Sequence, residues 1–228
     1  MYCHRCGSQI ADGVQFCTSC GQPVEAGAST PVVYVPPAGI RAQSGRWLGE
    51  GWRIVSDDIW MFALLALVFS VLNAAVPIVL QGPLFIGMHI YCMKRMMARH
   101  AEFADLFSGF SFFVPGLVAS LLIWLFTSAA SLLCLIPGLV VAAMYKFTYL
   151  FILDKRMDFW PAMKASHGVV KNDYFGFTMF LLLILLVDLL GVLFFIVGMF
   201  IAIPVTIAAI TVAYREIVGF DPATLERV

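Results

Sequence analysis

Apolar residues fall in three long tracts along this chain, and formal charges stand almost entirely outside them. Residues 59–93 carry none, residues 106–153 are broken only by Lys146, and residues 174–214 only by Asp188. One helical crossing of a bilayer takes roughly 20 apolar residues. Each tract is too long for one crossing and long enough for two, so each predicts a helical hairpin. Three hairpins predict six spans, at about 59–77, 83–99, 112–134, 137–153, 174–196 and 200–217. Two shorter segments have amphipathic spacing. In 45–58, Trp47, Trp52 and Val55 lie near one helical face that runs on to Ile59. In 158–172, Trp160, Met163, His167 and Val170 share a face, while Lys164 and Lys171 point elsewhere. Both are expected at the membrane interface, which tryptophan favours.

The second span of each hairpin is expected to open at a proline: Pro83, Pro137 and Pro204. Proline suits a first helical turn, where its missing N–H has no intrahelical partner. A tyrosine follows at a similar spacing, as Tyr91, Tyr145 and Tyr214, with Lys94 and Arg215 shortly beyond two of them. Two explanations stay open: a threefold repeat, or the general habit of membrane hairpins. The basic residues set the orientation. Lys94, Arg95, Arg99, Lys155, Arg156, Lys164 and Lys171 fall in connections on the side that also carries both termini, and the opposite turns contain no Lys or Arg. By the positive-inside rule both termini are expected in the cytoplasm of a multi-pass protein of the plasma or inner membrane.

Ahead of the membrane part stands a different composition. Cys3 and Cys6, then Cys17 and Cys20, form two C-x-x-C knuckles, each followed by a glycine, Gly7 and Gly21. Four thiolates so spaced match the tetrahedral preference of zinc, and a segment this short needs metal to supply its folding free energy. Two disulfides or a redox dithiol are the competing readings, and a reducing cytoplasmic location disfavours the first. Four cysteine ligands leave no open position for a water nucleophile, so the expected Zn2+ is structural. Residues 22–44 are rich in Pro, Ala, Gly and Ser and are expected to be a flexible linker. The expected organisation is therefore a zinc ribbon at 1–21, a linker at 22–44, a six-span membrane domain at 45–220 and a cytoplasmic tail at 221–228. The fold class is an all-α integral membrane helical bundle with interfacial helices, behind a small zinc ribbon. With no leader ahead of the knuckles, the first span is expected to serve as the insertion signal.

Composition sharpens this picture. Hydrophobic residues make up 61% of the 228 and charged residues 12%, with mean hydropathy +0.93, against about 25% charged in ordinary soluble domains. The zero formal net charge leaves no basic face for phosphates, so no nucleic-acid partner is expected. Inside the membrane a charge is costly and needs a partner, a watery cavity or a route to the interface. Lys146 and Asp188 have opposite signs and similar expected depth, which predicts an intramembrane charged pair, with structural and transport roles both open. Asn73 and His89 are further polar candidates. No nucleophile motif, phosphate-cradling glycine loop or pair of catalytic carboxylates is present, so nothing in the sequence argues for an enzyme.

These residues carry a resemblance. The Phe16–Gly21 knuckle resembles the zinc ribbons that many bacterial membrane proteins place ahead of their first span. Residues 51–220 resemble a poorly characterised group of bacterial six-span proteins, similar to the membrane domain fused to some glycerophosphoryl diester phosphodiesterases. The features are Gly82-Pro83, then Ile136-Pro137-Gly138 with Lys146 downstream. Ala162, Ser166 and Lys171-Asn172 follow, and finally Pro204 and Tyr214-Arg215. The phosphodiesterase domain itself is absent, so the resemblance implies architecture rather than activity. Two functions are expected to compete. One is a non-enzymatic membrane scaffold or regulator whose zinc ribbon recruits a cytoplasmic protein partner. The other is a small-molecule or lipid transporter using polar residues within the bundle, which would need a polar cavity at mid-membrane.

Overall fold

Each apolar tract folds as two helical arms, joined across residues 76–80 in the first tract and at Cys134 in the second. The computed structural model describes residues 34, 36–37, 39–194, 198–221 and 224. The expected ribbon ligands Cys3, Cys6, Cys17 and Cys20 lie outside the described residues. The chain divides into two units, Met1–Val33 and Tyr34–Val228. The second unit is all-α among its described residues. It begins with α1 (Ser44–Ser56), α2 (Ile59–Ala75), α3 (Gln81–Met96) and α4 (Asp105–Ser108). A 3-10 turn (Gly109–Phe112) then leads into α5 (Phe113–Leu133), α6 (Leu135–Met144) and α7 (Thr148–Asp154), and α8 (Phe159–Val170), α9 (Tyr174–Leu193) and α10 (Met199–Ile217) complete the unit.

Four helical stretches among the described residues are long and apolar enough to cross a membrane: Asp105–Leu133, Leu135–Asp154, Tyr174–Leu193 and Met199–Ile217. A fifth is reached if α1 and α2, bent by 100° at their junction, count as one span. The protein is thus a multi-pass helical bundle with four or five qualifying spans, where six were expected. The shortfall lies in the first hairpin. Its arms occupy the expected positions but have only 17 and 16 residues. Furthermore, α3 is a central helix rather than a lipid-facing one: all its residues from Gly82 to Met93 except Phe85 are buried.

The close packing of α3 rests on glycine. A Cβ at Gly82 would fall 2.3 Å from the Gly116 carbonyl oxygen, and one at Gly87 1.9 Å from that of Leu106. Such contact between backbones is how membrane helices associate when lipid is as apolar as their side chains. The other buried helix is α10. Its most apolar window is 67% buried, against 28% for α9, which faces outward. Pro83 and Pro137 stand in first turns as expected, but Pro204 lies inside α10, whose helix starts at Met199. The missing N–H of Pro204 frees one carbonyl a turn earlier.

Both amphipathic segments, expected at the membrane interface, form helices, and they dock into the bundle on faces that take in only part of the expected ones. In α1 the buried residues are Trp47, Gly51 and Val55, whereas Trp52 is exposed. Gly51 rides on α10, where a Cβ would come 2.8 Å from the Ala209 nitrogen. The Trp47 ring packs edge-on against Phe180, centroids 5.0 Å apart, and its Nε1 donates to Glu216 Oε2 at 2.6 Å. In α8 Met163 and Val170 are buried as expected, but Trp160 is exposed and His167 faces outward to Tyr174. The real inner face of α8 holds Ala162, Ser166 and Val169. A tryptophan-weighted pattern selected the amphipathic edge of each helix, while small residues marked the contact surface.

Part of the segment expected as linker belongs to the bundle unit. Tyr34, Ile40 and Ala42 pack against the core, and Ala42 N–H donates to Asp173 Oδ2 at 3.1 Å. Burial beside Phe151 pushes the Tyr34 phenol above its ordinary pKa. At the other terminus, Asp154 accepts from Tyr214 Oη at 3.0 Å, from Asp221 N at 2.9 Å and from Thr224 Oγ1 at 2.9 Å, tying the tail to the end of α7.

Candidate functional site

Lys146 marks the point where the fourth arm breaks. Helix α6 ends at Met144 and α7 begins at Thr148, with the intervening turn held by i to i−3 bonds from Lys146 N to Ala143 O and from Thr148 N to Tyr145 O. A break within an apolar span strands backbone groups that lipid cannot satisfy, and neighbouring side chains must take them up. Ser166 of α8 does so from both sides. Its hydroxyl donates to the Met144 carbonyl at 2.6 Å and accepts from Phe147 N–H at 3.2 Å. Ala162, four residues earlier on the same face, is fully buried and lets α8 approach. The Ala-x-x-x-Ser feature of the sequence thus has a physical reason.

Beside this break lies a cavity of about 420 Å³, within the range of small-ligand sites. Helix α3 lines it with Gln81, Phe85 and His89, spaced by four so that all three share one face. From α5 come Ser120, Ile123, Trp124, Thr127 and Ser128, again a single stripe. Ala142, Tyr145 and Lys146 close the side of the break, and Tyr149 and Ile210 the base. Trp124 is 56% exposed and sits between exposed Leu121 and Leu125, so one wall of the cavity borders the outer apolar surface of α5.

The polar groups facing this space divide into satisfied and unsatisfied sets. Ser120 Oγ donates to the Gly116 carbonyl at 2.8 Å, so Tyr149 Oη, 3.0 Å away, is the donor of their shared bond. Thr211 Oγ1 gives its one proton to Ile207 O at 2.8 Å, which makes His89 Nδ1 the donor across the 2.7 Å contact to Thr211. That leaves His89 Nε2 as a bare acceptor. Thr127 Oγ1 is buried without a hydrogen-bond partner. Lys146 is the one formally charged residue lining the cavity, and its ammonium makes no hydrogen bond or ion pair among the described residues.

Asp188 does not line this space. It sits half-buried on α9 and accepts from Thr206 Oγ1 of α10 at 3.3 Å. Among the described residues no hydrogen bond or ion pair joins Lys146 to Asp188, although each charge is felt by the other. Asn73, near the end of α2, keeps a buried Oδ1 without a partner.

The serine, threonine and glutamine lining was missed by inspection of formal charges alone. Its signal is present: 81 and 89, and 120, 127 and 128, are helical-face spacings that place polar residues in apolar arms. Among the described residues, no cluster of three or more His, Cys, Asp or Glu side chains could hold a metal.

Comparison with known proteins separates the two parts of the chain. A zinc-ribbon domain family model matches residues 2–24, which contain all four knuckle cysteines. An uncharacterised protein of Mycobacterium bovis and two of Mycobacterium tuberculosis are each 35% identical over 103 residues. Each match covers 45% of this chain and 32% of the relative, so it spans about a third of the curated relatives' length. No solved structure matches the chain. The protein is thus a multi-pass helical membrane bundle with an N-terminal zinc-ribbon motif, similar over part of its length to uncharacterised mycobacterial proteins.

Proposed function

We propose that the bundle is a membrane-embedded binding and translocation module that takes a small molecule or lipid into the cavity beside Lys146. The reading rests on one observation: a cationic, hydroxyl-rich space at a break in an apolar helix. Broken helices and midplane polar cavities are the usual means by which transporters hold substrate. A purely structural lysine would instead be expected to bond its neighbours, and this ammonium has none among the described residues. Native mass spectrometry of the purified full chain tests the reading. A releasable bound molecule is expected, and Ala142→Phe, which fills the cavity, should exclude it while preserving thermal melting. A wild-type protein carrying no such molecule, and taking none up from membrane extract, would overturn the proposal.

The scaffold reading is supported by the zinc-ribbon match, and the two are compatible. Four thiolates in paired knuckles fit zinc by donor chemistry. Cys3, Cys6, Cys17 and Cys20 would hold it, and the ion would supply folding free energy to the ribbon. The ribbon would then be the surface offered to a cytoplasmic protein partner. Orientation by the positive-inside rule puts that surface in the cytoplasm, with lipid as the bundle's own surroundings. One zinc per chain is expected by metal analysis, and Cys17→Ser with Cys20→Ser should abolish it. A full equivalent retained in that variant would refute the assignment.

A further inference from the structure

We infer that the cavity selects an anionic amphiphile: a phosphate or carboxylate head held at Lys146, with an apolar tail leaving past Trp124 toward the lipid. This deepens, and rests on, the binding reading given above. Sign comes first. No Asp or Glu lines the cavity, and its one formally charged side chain is a lysine without a hydrogen bond or ion pair among the described residues. An anion is the complement that would satisfy it, because a charge held away from water costs much unless paired. Donors come next. The Thr127 hydroxyl is buried and unpartnered, and it can donate a charge-assisted hydrogen bond to an anionic oxygen.

Shape supplies the tail. Beside its polar groups the lining has an apolar share, with Phe85, Ile123, Trp124 and Ile210 facing the same space. Trp124 is at once a lining residue and part of the exposed outer face of α5, beside Leu121 and Leu125. A ligand wholly enclosed by polar groups would not need that wall. One with a hydrocarbon tail can leave it in lipid while the head reaches Lys146. Ser166 acts at one remove as a positioning residue: by satisfying Met144 O and Phe147 N it holds the turn that presents Lys146.

The test uses the full chain in a neutral maltoside detergent. Its probes are dodecyl phosphate, dodecanoate, dodecanol, dodecyltrimethylammonium and inorganic phosphate, with saturable binding read by calorimetry. The two anionic amphiphiles are expected to bind about tenfold or more tightly than dodecanol, the scale of one charge-assisted contact. Lys146→Met should erase that advantage and leave dodecanol unchanged, while Lys146→Arg should keep most of it. Should Lys146→Met fail to fold, the wild-type comparison of dodecyl phosphate with dodecyltrimethylammonium decides the sign alone. Equal binding of the cationic amphiphile would overturn the inference. Inorganic phosphate binding as tightly as dodecyl phosphate would overturn the tail while leaving a cavity that binds a small anion. Saturable binding of any probe that survives Ala142→Phe undiminished would place the ligand elsewhere, and both readings would fall.

Discussion

The apolar arms that carry Lys146 and Asp188 look alike on paper, each a run of about twenty residues with one charge in its interior, and they differ in three dimensions. Leu135–Asp154 breaks at its lysine into α6 and α7, whereas Tyr174–Leu193 runs unbroken through its aspartate. Around Lys146, α3 and α5 present two polar stripes, and α8 inserts a serine into the gap. Around Asp188 there is one threonine, while Leu185, Leu186 and Leu189 beside it face outward. A charge in an apolar run thus marks a position where something must compensate, without saying what. The compensation at Lys146 is an elaborate built space. At Asp188 it is a single hydroxyl and partial exposure.

The largest effect should separate these two forms of compensation directly. Replacing Ser166 by alanine removes only the hydroxyl oxygen and strands the Met144 carbonyl and the Phe147 N–H at the break. Unsatisfied buried groups cost about 1–3 kcal/mol each, so Ser166→Ala should lose about 2–6 kcal/mol of stability. Reversible denaturation in mixed micelles would read it. A loss below about 1 kcal/mol would mean that the break satisfies itself and that α8 is only a packing element.

How much of this could be read beforehand follows from the same residues. Tracts nearly free of charge located the pairs of helical arms, because burying formal charge in lipid is costly enough to leave a mark on any sequence, though only four or five spans qualify among the described residues. The span count was less legible. Whether α3 faces lipid or protein depends on which neighbours surround it, and Gly82 and Gly87 reveal that only once Gly116 and Leu106 are seen against them. Likewise, the tryptophans of α1 and α8 proclaimed amphipathicity, yet the docking faces were set by Gly51 and by Ala162 with Ser166. The cavity's charged end, Lys146, was evident. Its hydroxyl walls were not, since serine and threonine are common within membrane helices and acquire meaning only when stripes from two helices converge.

An intermediate effect concerns the coupling of the two charges. Without a direct bond between them, a double-mutant cycle of Lys146→Met and Asp188→Leu should give an interaction energy of about 1 kcal/mol, the low end for coupled neighbours. Asp188→Asn alone should destabilise, and the apolar double replacement should be better tolerated than the single changes sum to, because removing one charge strands the other. An interaction energy indistinguishable from zero would separate the arms fully, leaving Lys146 to its cavity. A value above about 3 kcal/mol would mean that the side chains close into a direct pair in the membrane.

The smallest effect should come from Thr206→Val, the counterpart of the serine replacement on the other arm. The two hydroxyls look equivalent, each bridging a polar group to a carbonyl, but they answer different needs. Ser166 bonds backbone groups that cannot move and have nowhere else to turn. Thr206 has one proton to share between a side-chain carboxylate at 3.3 Å and, closer, Ile203 O of its own helix at 3.0 Å. Asp188 is partly exposed and rotatable, so it can turn toward the end of the arm: Leu193 closes α9 about 8 Å away by helical rise. A weak bond to a group with an escape is worth about 0.5–1.5 kcal/mol, and Thr206→Val should cost no more than that. Valine also fills the threonine's volume, so no cavity adds to the loss. Measured beside Ser166→Ala in the same micelles, a cost of equal size would show that Asp188 is held as rigidly as the break at Lys146. The contrast between a built site and a tolerated charge would then collapse, and the aspartate arm would have to be searched for a second polar space.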